Sequence, residues 1–495
     1  MDYALLYLAV VLVIFFIRRR FSYCERKGVP APKAWSFFGN VLQSFTQKKT
    51  VGQIFREIYH TYDTLPLVGA YRTNEPVLIV RDPELISQIL VKDSHVFFNN
   101  DFSVDPKLDP MQGASPFVQK DQQWRTTRTM LSPGFTSGKM KRLFPLIVKV
   151  NQRLSKYLES QPNIELGHTV ETQILCRRFT LDNVALAAFG IDGKCFESEE
   201  SDFMRLANSF IAPGSFALSM LQMFPLISHL VSLKVIPEAV EGRLTQIITD
   251  SLEYRKKNKV IANDYLQFIA QLGDKVGFNF AEISGHAATF FEDGYETSAL
   301  VMSYLLFNLS RHQEVQDRLR AEIAQFEQQN EIDYDHLAKM PYLNACIYES
   351  MRACPVLDHY TRVCSRPYIY KTPNESPKHL QRMDVNIDAE TVCLIPFGGL
   401  CHDPVYFPHP EAFIPERFLD KDSQGFKRVF YPFGGGHRIC LGQRFGIMQV
   451  KMGIVEIIKK FQVTFDEKTH FPFEFLPWTV LNKVKQGVWL TYRKL

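Results

Sequence analysis

The chain has 495 residues and a formal net charge of only +4, which argues against nucleic-acid binding and against strong attraction to acidic lipid. Hydrophobic residues make up 46% of it, enough for a large core. Length alone would allow about three domains, but no Ser/Gly-rich linker, charge block, repeat or low-complexity run divides the sequence. Its nine cysteines are an odd number without a Cys-x-x-Cys pair. Scattered positions such as Cys24, Cys176, Cys195 and Cys346 give no disulfide framework or zinc site and suit a reducing compartment.

At the N-terminus an apolar run from Tyr3 to Ile17 is followed by Arg18-Arg19-Arg20. As a helix the run spans about 22 Å, short of the roughly 30 Å hydrocarbon core, and arginines at its end can snorkel to lengthen the span. A cleaved signal peptide is the competing reading; against it, the charges come after the apolar run and no small-x-small site intervenes. The positive-inside rule then places the chain beyond Arg20 in the cytosol. The expectation is a membrane anchor at 1–20, most simply in the endoplasmic reticulum. A connector at 21–33 contains Gly28-Val29-Pro30-Ala31-Pro32, and a single catalytic body occupies 34–495.

Strand-like runs lie near the two ends, at Leu67–Tyr71, Val77–Val80, Thr391–Ile395 and Val488–Tyr492. Helical patterns dominate between Trp124 and Arg352, as in Pro237–Lys257, His286–Arg311 and Glu314–Gln328, and return at Gln443–Lys460. Such segregation predicts an α+β fold, mostly α. The stretch Phe210–Val240 is apolar and aromatic without clean periodicity.

Four motifs carry chemistry. Trp124 and Arg128 are four apart, on one helical face. Asp293-Gly294-Tyr295-Glu296-Thr297-Ser298 sits inside an apolar stretch from about Ser284 to Leu309, long enough to cross the molecule as one helix; Gly294 costs it about 1 kcal/mol against Ala, so a local reason is expected. Glu349 and Arg352 are three apart and can pair, which by itself suits a solvated surface pair. Finally, Phe433-Gly434-Gly435-Gly436-His437-Arg438-Ile439-Cys440-Leu441-Gly442 puts a cysteine on a glycine-shaped turn before a helix. The macrodipole and free amides there favour a thiolate, and Cys440 is the candidate metal ligand.

The Phe, Gly, Arg, Cys and Gly spacing of the last motif resembles the haem-binding loop of the cytochromes P-450, and the other three also match that family, from about Pro30 to the C-terminus. The resemblance implies one triangular fold, α-rich with a small β-rich part, and haem b (iron protoporphyrin IX) with Cys440 as axial thiolate. It implies that Phe433, Gly434 and Gly436 shape the loop, and that Trp124, Arg128, Arg362 and Arg438 bind the haem propionates. Glu349, Arg352 and Arg417 would form a buried network. Gly294 would mark a distortion of the helix over the distal haem face, where Glu296 and Thr297 relay protons to reduced dioxygen. Pro404–Phe418 resembles the irregular meander before the haem loop.

One departure concerns Asp293, where the family usually has a small residue. It either faces the distal pocket, ordering water or forming an ester to haem as a glutamate does in one branch, or is hydrogen-bonded away from it. The region Phe210–Val240 would lid the substrate channel and dip into the membrane. Phe102, Phe117, Phe216, Leu357 and Leu476-Pro477-Trp478 would line an apolar pocket, with Asp358 and His359 either fixing a polar group or facing water. Lys139, Lys141, Arg142, Lys427, Arg428 and Arg444 would give a basic proximal face for an acidic donor. The donor expected is the NADPH-dependent reductase, with cytochrome b5 as a second candidate.

The expected activity is that of a membrane-anchored monooxygenase acting on a hydrophobic small molecule. Its local wording resembles insect members allied with detoxification. Two alternatives stand beside it: a reductase-independent haem isomerase or dehydratase, and a non-catalytic haem- or lipophile-binding protein, which the crowding by Asp293 favours.

Overall fold

A computed structural model describes residues 2–35, 37–210, 220, 234–328, 332–419 and 426–495 of the protein. The N-terminal run forms helix α1 (Asp2–Phe21), ending in Arg18, Arg19 and Arg20, with Tyr3, Leu5, Leu6, Tyr7, Leu12 and Phe15 exposed. No helix among the described residues is long and apolar enough to cross a membrane. Asp2 and the three arginines bound the apolar run of α1 too closely, so the anchor expected at 1–20 is not established by the structure. The foot of α1 is fixed to the body: the Tyr71 hydroxyl donates to the Phe21 carbonyl at 2.7 Å.

Helix α2 (Val51–Thr61) starts at a capping box between Thr50 and Gln53, which satisfies two otherwise orphaned N–H groups. Strands β1 (Leu67–Arg72) and β2 (Glu75–Val80) form an antiparallel pair with Leu67 opposite Val80. Helices α3 (Asp121–Leu131) and α4 (Ser137–Glu159) come next. Helix α4 buries Met140, Leu143, Ile147, Val150, Leu154 and Leu158, one stripe at helical spacing. Strand β3 (His168–Glu171) leads into α5 (Thr172–Val184), then α6 (Glu238–Asn258) and α7 (Tyr265–Val276).

The central element is α8 (Phe280–Arg311), 32 residues long and started by a capping box between Asn279 and Glu282. At the usual rise it spans about 48 Å, and it packs against α5 and against two later helices, α10 (Pro341–Ala353) and α11 (Gln443–Lys460). Helix α9 (Gln313–Glu327) lies between α8 and α10 in sequence.

Strands β4 (Tyr360–Val363), β5 (Tyr368–Lys371), β6 (Asp384–Ile387) and β7 (Val392–Ile395) come after α10, with β8 (Phe461–Phe465) and β9 (Trp489–Lys494) near the C-terminus. They form three small sheets, ordered β1-β2-β7-β4, β3-β9-β8 and β5-β6. In the first, β2 runs parallel to β7, while β4 pairs antiparallel with β7 and sets Arg362 opposite Cys393. One apolar core gathers around α8 and a second around the four-stranded sheet. The mostly helical α+β architecture expected from sequence is therefore present.

The Glu349–Arg352 pair is internal, not a surface pair. Both side chains are fully buried, Arg352 donates to both Glu349 carboxylate oxygens at 2.8 and 2.9 Å, and it also reaches the carbonyls of Cys401, Pro410 and Ala412. Arg417 lies 3.4 Å from Glu349. A bidentate arginine with further hydrogen bonds to main-chain carbonyls is the arrangement in which a buried ion pair can be tolerated.

Candidate haem-thiolate site

Glycines shape the cysteine loop. Gly434 and Gly436 have φ of +72° and +66°, values that side chains other than glycine rarely adopt. A Cβ on Gly436 would lie 1.8 Å from the Leu90 carbonyl oxygen. The loop therefore packs flush against 88–92, and the Cys440 N–H closes it by donating to the Phe433 carbonyl at 2.9 Å.

The N–H groups of Gly442 and Gln443, at the start of α11, donate to the Cys440 sulfur and favour its thiolate. Burial opposes them and, with the negative charge of Asp293 next in size, pushes the thiol up to about 11. A metal ion at the sulfur would reverse that balance, since a coordinating thiol is deprotonated outright.

Cys440 has free surface, as does Asp293 on α8, yet surrounding protein raises the pKa of both, that of Asp293 to about 6. The Asp293 carboxylate is close enough to the Cys440 sulfur for its charge to be felt there, and both border a hollow that the surrounding protein encloses. Thr297 is half-buried and its hydroxyl donates to the Asp293 carbonyl at 3.0 Å.

Arginines gather at one side of the hollow. Arg438 lies with its guanidinium carbon 4.1 Å from the Trp124 ring centre, and burial followed by the charge of Arg362 lowers its pKa to about 9. Burial brings Arg362 down to about 10 and also lowers Arg128, where the charge of Cys440 opposes it. His437 stacks on Phe98 at 4.8 Å and is pushed down to about 4 by burial, then by Arg362 and Arg438. Mutually repelling cations in a hollow need an anion, and a planar group with two carboxylates meets that need.

The cations are not equally available. Arg438 makes four hydrogen bonds to the chain, reaching the carbonyls of Phe98, Pro116 and Gln119 and the side chain of Asn99. Arg362 engages one nitrogen, donating to Asn100 and to the Thr361 carbonyl, both at 2.7 Å. Sequence reasoning assigned Trp124, Arg128, Arg362 and Arg438 one shared role. The structure brings all four together, and Arg438 also fastens segment 98–119.

Helix α8 runs through Gly294 without a break, with the Thr297 hydroxyl on the Asp293 carbonyl one turn back. The local reason for Gly294 is space, since a Cβ there would lie 3.0 Å from Val184; its carbonyl accepts a hydrogen bond from the Gln449 amide of α11 at 2.7 Å. Glu296 pairs with Lys483 at 2.9 Å, and its other carboxylate oxygen is buried without a hydrogen-bond partner among the described residues. Neither Gln449 nor Lys483 carries a sequence signal of such a role.

Phe102 and Phe117 pack together at 5.5 Å, whereas Phe216 and most of Phe210–Val240 lie outside the described residues. Asp358 does not face water: it is buried, 3.6 Å from Arg56 of α2, and His359 stands edge-on to Phe55. On the expected basic face, Lys141 pairs with Asp335 and Arg428 with Glu84; Lys139, Arg142 and Arg444 are described, and the side chain of Lys427 is not.

The sequence profile of the cytochrome P-450 family matches residues 29–490. The chain belongs to the cytochrome P-450 family. It is 31% identical to the probable cytochrome P-450 6a23 of Drosophila melanogaster, over 99% of this chain and 98% of that protein. Identity is also 31% to cytochrome P-450 6j1 of Blattella germanica, over 97% and 95% of the two chains, and 31% to cytochrome P-450 6A1 of Musca domestica, over 98% and 97%. The protein is accordingly a monooxygenase, an oxidoreductase whose cofactor is haem held by a cysteine thiolate. The hollow fits that cofactor: it offers a sulfur with free surface and the cations Arg128, Arg362 and Arg438, which form no salt bridge among the described residues and of which Arg438 is repelled by the other two.

Proposed function

We propose that Cys440 is the axial thiolate of an endoplasmic-reticulum monooxygenase that takes electrons from the NADPH-dependent reductase and inserts one oxygen atom into a hydrophobic molecule. The observation that supports this reading is a Cys440 sulfur with free surface, near enough to Asp293 and Arg128 to feel their charges, with Arg438 near enough to Arg362 and Arg128 to be repelled by both. Bound haem supplies dioxygen activation, for which a thiolate ligand is suited.

The chain's own residues have separable tasks. Gly434 and Gly436 let the loop approach the cofactor closely, and the Gly442 and Gln443 amides hold the sulfur as an anion. Arg128, Arg362 and the Trp124 indole N–H bind the two propionates, while Arg438 keeps segment 98–119 against the loop. Asp293 orders water over the distal face, and Glu296 with Thr297 delivers protons there. Phe102 and Phe117 give the substrate an apolar wall. Residues 34–495 make up the catalytic domain, with α1 as its tether to the membrane; the exposed apolar side chains of α1 and its terminal arginines support that role. Cytochrome b5 is a candidate second donor at the basic face.

The test is reconstitution with the reductase, NADPH, isotopically labelled dioxygen and a panel of apolar probe compounds. The reading expects one labelled oxygen atom in a product and the other in water. NADPH consumption indifferent to every probe would oppose it.

A further inference from the structure

We propose that Lys483 is a positioning residue: its ammonium group holds Glu296 outside the distal pocket, and Glu296 serves the oxygen side of the haem when this ion pair opens. The inference rests on the haem-thiolate reading above and concerns a residue to which the family motifs give no role.

The lysine is rigidly mounted. Its neighbour Asn482 donates through N to the Val356 carbonyl and through Nδ2 to the Pro355 carbonyl, both at 2.8 Å. The Asn482 carbonyl accepts from the Tyr304 hydroxyl of α8, and the Lys483 carbonyl accepts from the Leu476 N–H at 2.9 Å. The main chain carrying the ammonium is thus pinned both to α8 and to the segment leaving α10. Nζ then stands 2.9 Å from Glu296 Oε1, with the two side chains only 15% and 12% exposed.

The glutamate is held in an under-satisfied pose. A carboxylate can accept about four hydrogen bonds, but Glu296 Oε2 is buried and has none among the described residues. Leaving a buried acceptor unpaired costs about 1–3 kcal/mol, which offsets part of what breaking a mostly buried ion pair would cost. A pose turned toward Thr297, where water can reach both carboxyl oxygens, relieves that penalty. Exchange between the two poses makes a gate. Thr297 is already beside the hollow with its hydroxyl on the Asp293 carbonyl, so turning of the Glu296 side chain alone completes the acid–alcohol pair.

The consequence concerns where electrons from NADPH end up. Without substrate, dioxygen takes two electrons and two protons to give hydrogen peroxide, or four electrons and four protons to give two water molecules. The second route needs prompt proton delivery, so the peroxide share of NADPH oxidation reports how freely Glu296 reaches the oxygen side.

The experiment uses the haem-loaded full chain, with the NADPH-dependent reductase and without substrate. It compares wild type with Lys483→Met, Lys483→Arg, Glu296→Gln and the Lys483→Met/Glu296→Gln double variant. Lys483→Met is expected to lower the peroxide share by about threefold, the factor that such an ion pair controls, and Glu296→Gln to raise it. Lys483→Arg should behave as wild type, and the double variant should match Glu296→Gln, because the lysine acts through the glutamate.

A second readout involves no turnover: the infrared C–O stretch of carbon monoxide bound to the reduced haem. Lys483→Met should gain a shifted band as Glu296 enters the pocket, and the double variant should lose it. Equal peroxide shares and one unshifted band in Lys483→Met, or a Lys483→Met effect that persists in the Glu296→Gln background, would overturn the proposal. Failure of the haem-thiolate reading itself would look different, since no variant would then consume NADPH.

Discussion

The side-chain amide of Gln449 donates to the main-chain carbonyl of Gly294 across 2.7 Å, joining the helix just after the cysteine loop to the helix that covers the hollow. Gln449 is fully buried, and its own amide oxygen has no partner among the described residues. Because one half of the amide is already unsatisfied, Gln449→Leu is expected to cost only about 1 kcal/mol in stability. Its larger effect should fall on the distal helix, as faster amide exchange around Gly294 measured by mass spectrometry. Unchanged exchange there would show that the bond does not restrain α8.

The Glu349–Arg352 network tolerates far less. Removing one partner of a fully buried pair leaves an uncompensated charge, at a cost of about 3–5 kcal/mol. Arg352→Lys keeps the charge but loses the bidentate geometry and the three carbonyl contacts. Soluble, haem-loaded yield is expected to collapse in both Arg352→Lys and Glu349→Gln.

Arg362 and Arg438 should separate experimentally. Arg362→Gln is expected to weaken haem retention, measured by transfer to apomyoglobin, while the melting temperature of the stripped protein barely moves. Arg438→Gln removes four hydrogen bonds to segment 98–119 and should expose that segment to limited proteolysis. Equal behaviour of the two variants would contradict the division of labour assigned to them.

Asp293 gives a pH signature. Its carboxyl is raised to about 6 by burial, above the unfolded value of about 3.9, so the folded protein holds the proton more tightly than the unfolded chain. The stabilising contribution is fully present below about pH 4 and is lost as pH rises through about 6. Asp293→Ala should therefore raise the melting temperature relative to wild type at pH 7.5, with the gain shrinking as pH falls toward 4. A gain independent of pH would point to packing instead.

The part of the site that is legible in the sequence is local. The cysteine loop, Trp124 with Arg128, and Glu349 with Arg352 each lie within ten residues, where backbone geometry alone brings side chains together. Helix α11 matches its expected bounds, and α8 begins six residues before the expected His286, at Phe280. The Asn279–Glu282 capping box that sets this start was readable in the sequence. The contacts that sequence did not disclose are long-range. Glu296 meets Lys483, Gly294 meets Gln449, and Asp358 meets Arg56, and no periodicity links such positions. The same distance hid the burial of Asp358, which a local reading placed at the pocket because its neighbour Leu357 was expected there.

The central claim is thiolate ligation by Cys440, and it is tested most directly by the absorption spectrum of the reduced, carbon-monoxide-treated protein, wild type beside Cys440→Ser. The account predicts a strongly red-shifted Soret band in wild type that disappears in Cys440→Ser. A red-shifted band that survives the substitution, or none in folded, haem-loaded wild type, would contradict it.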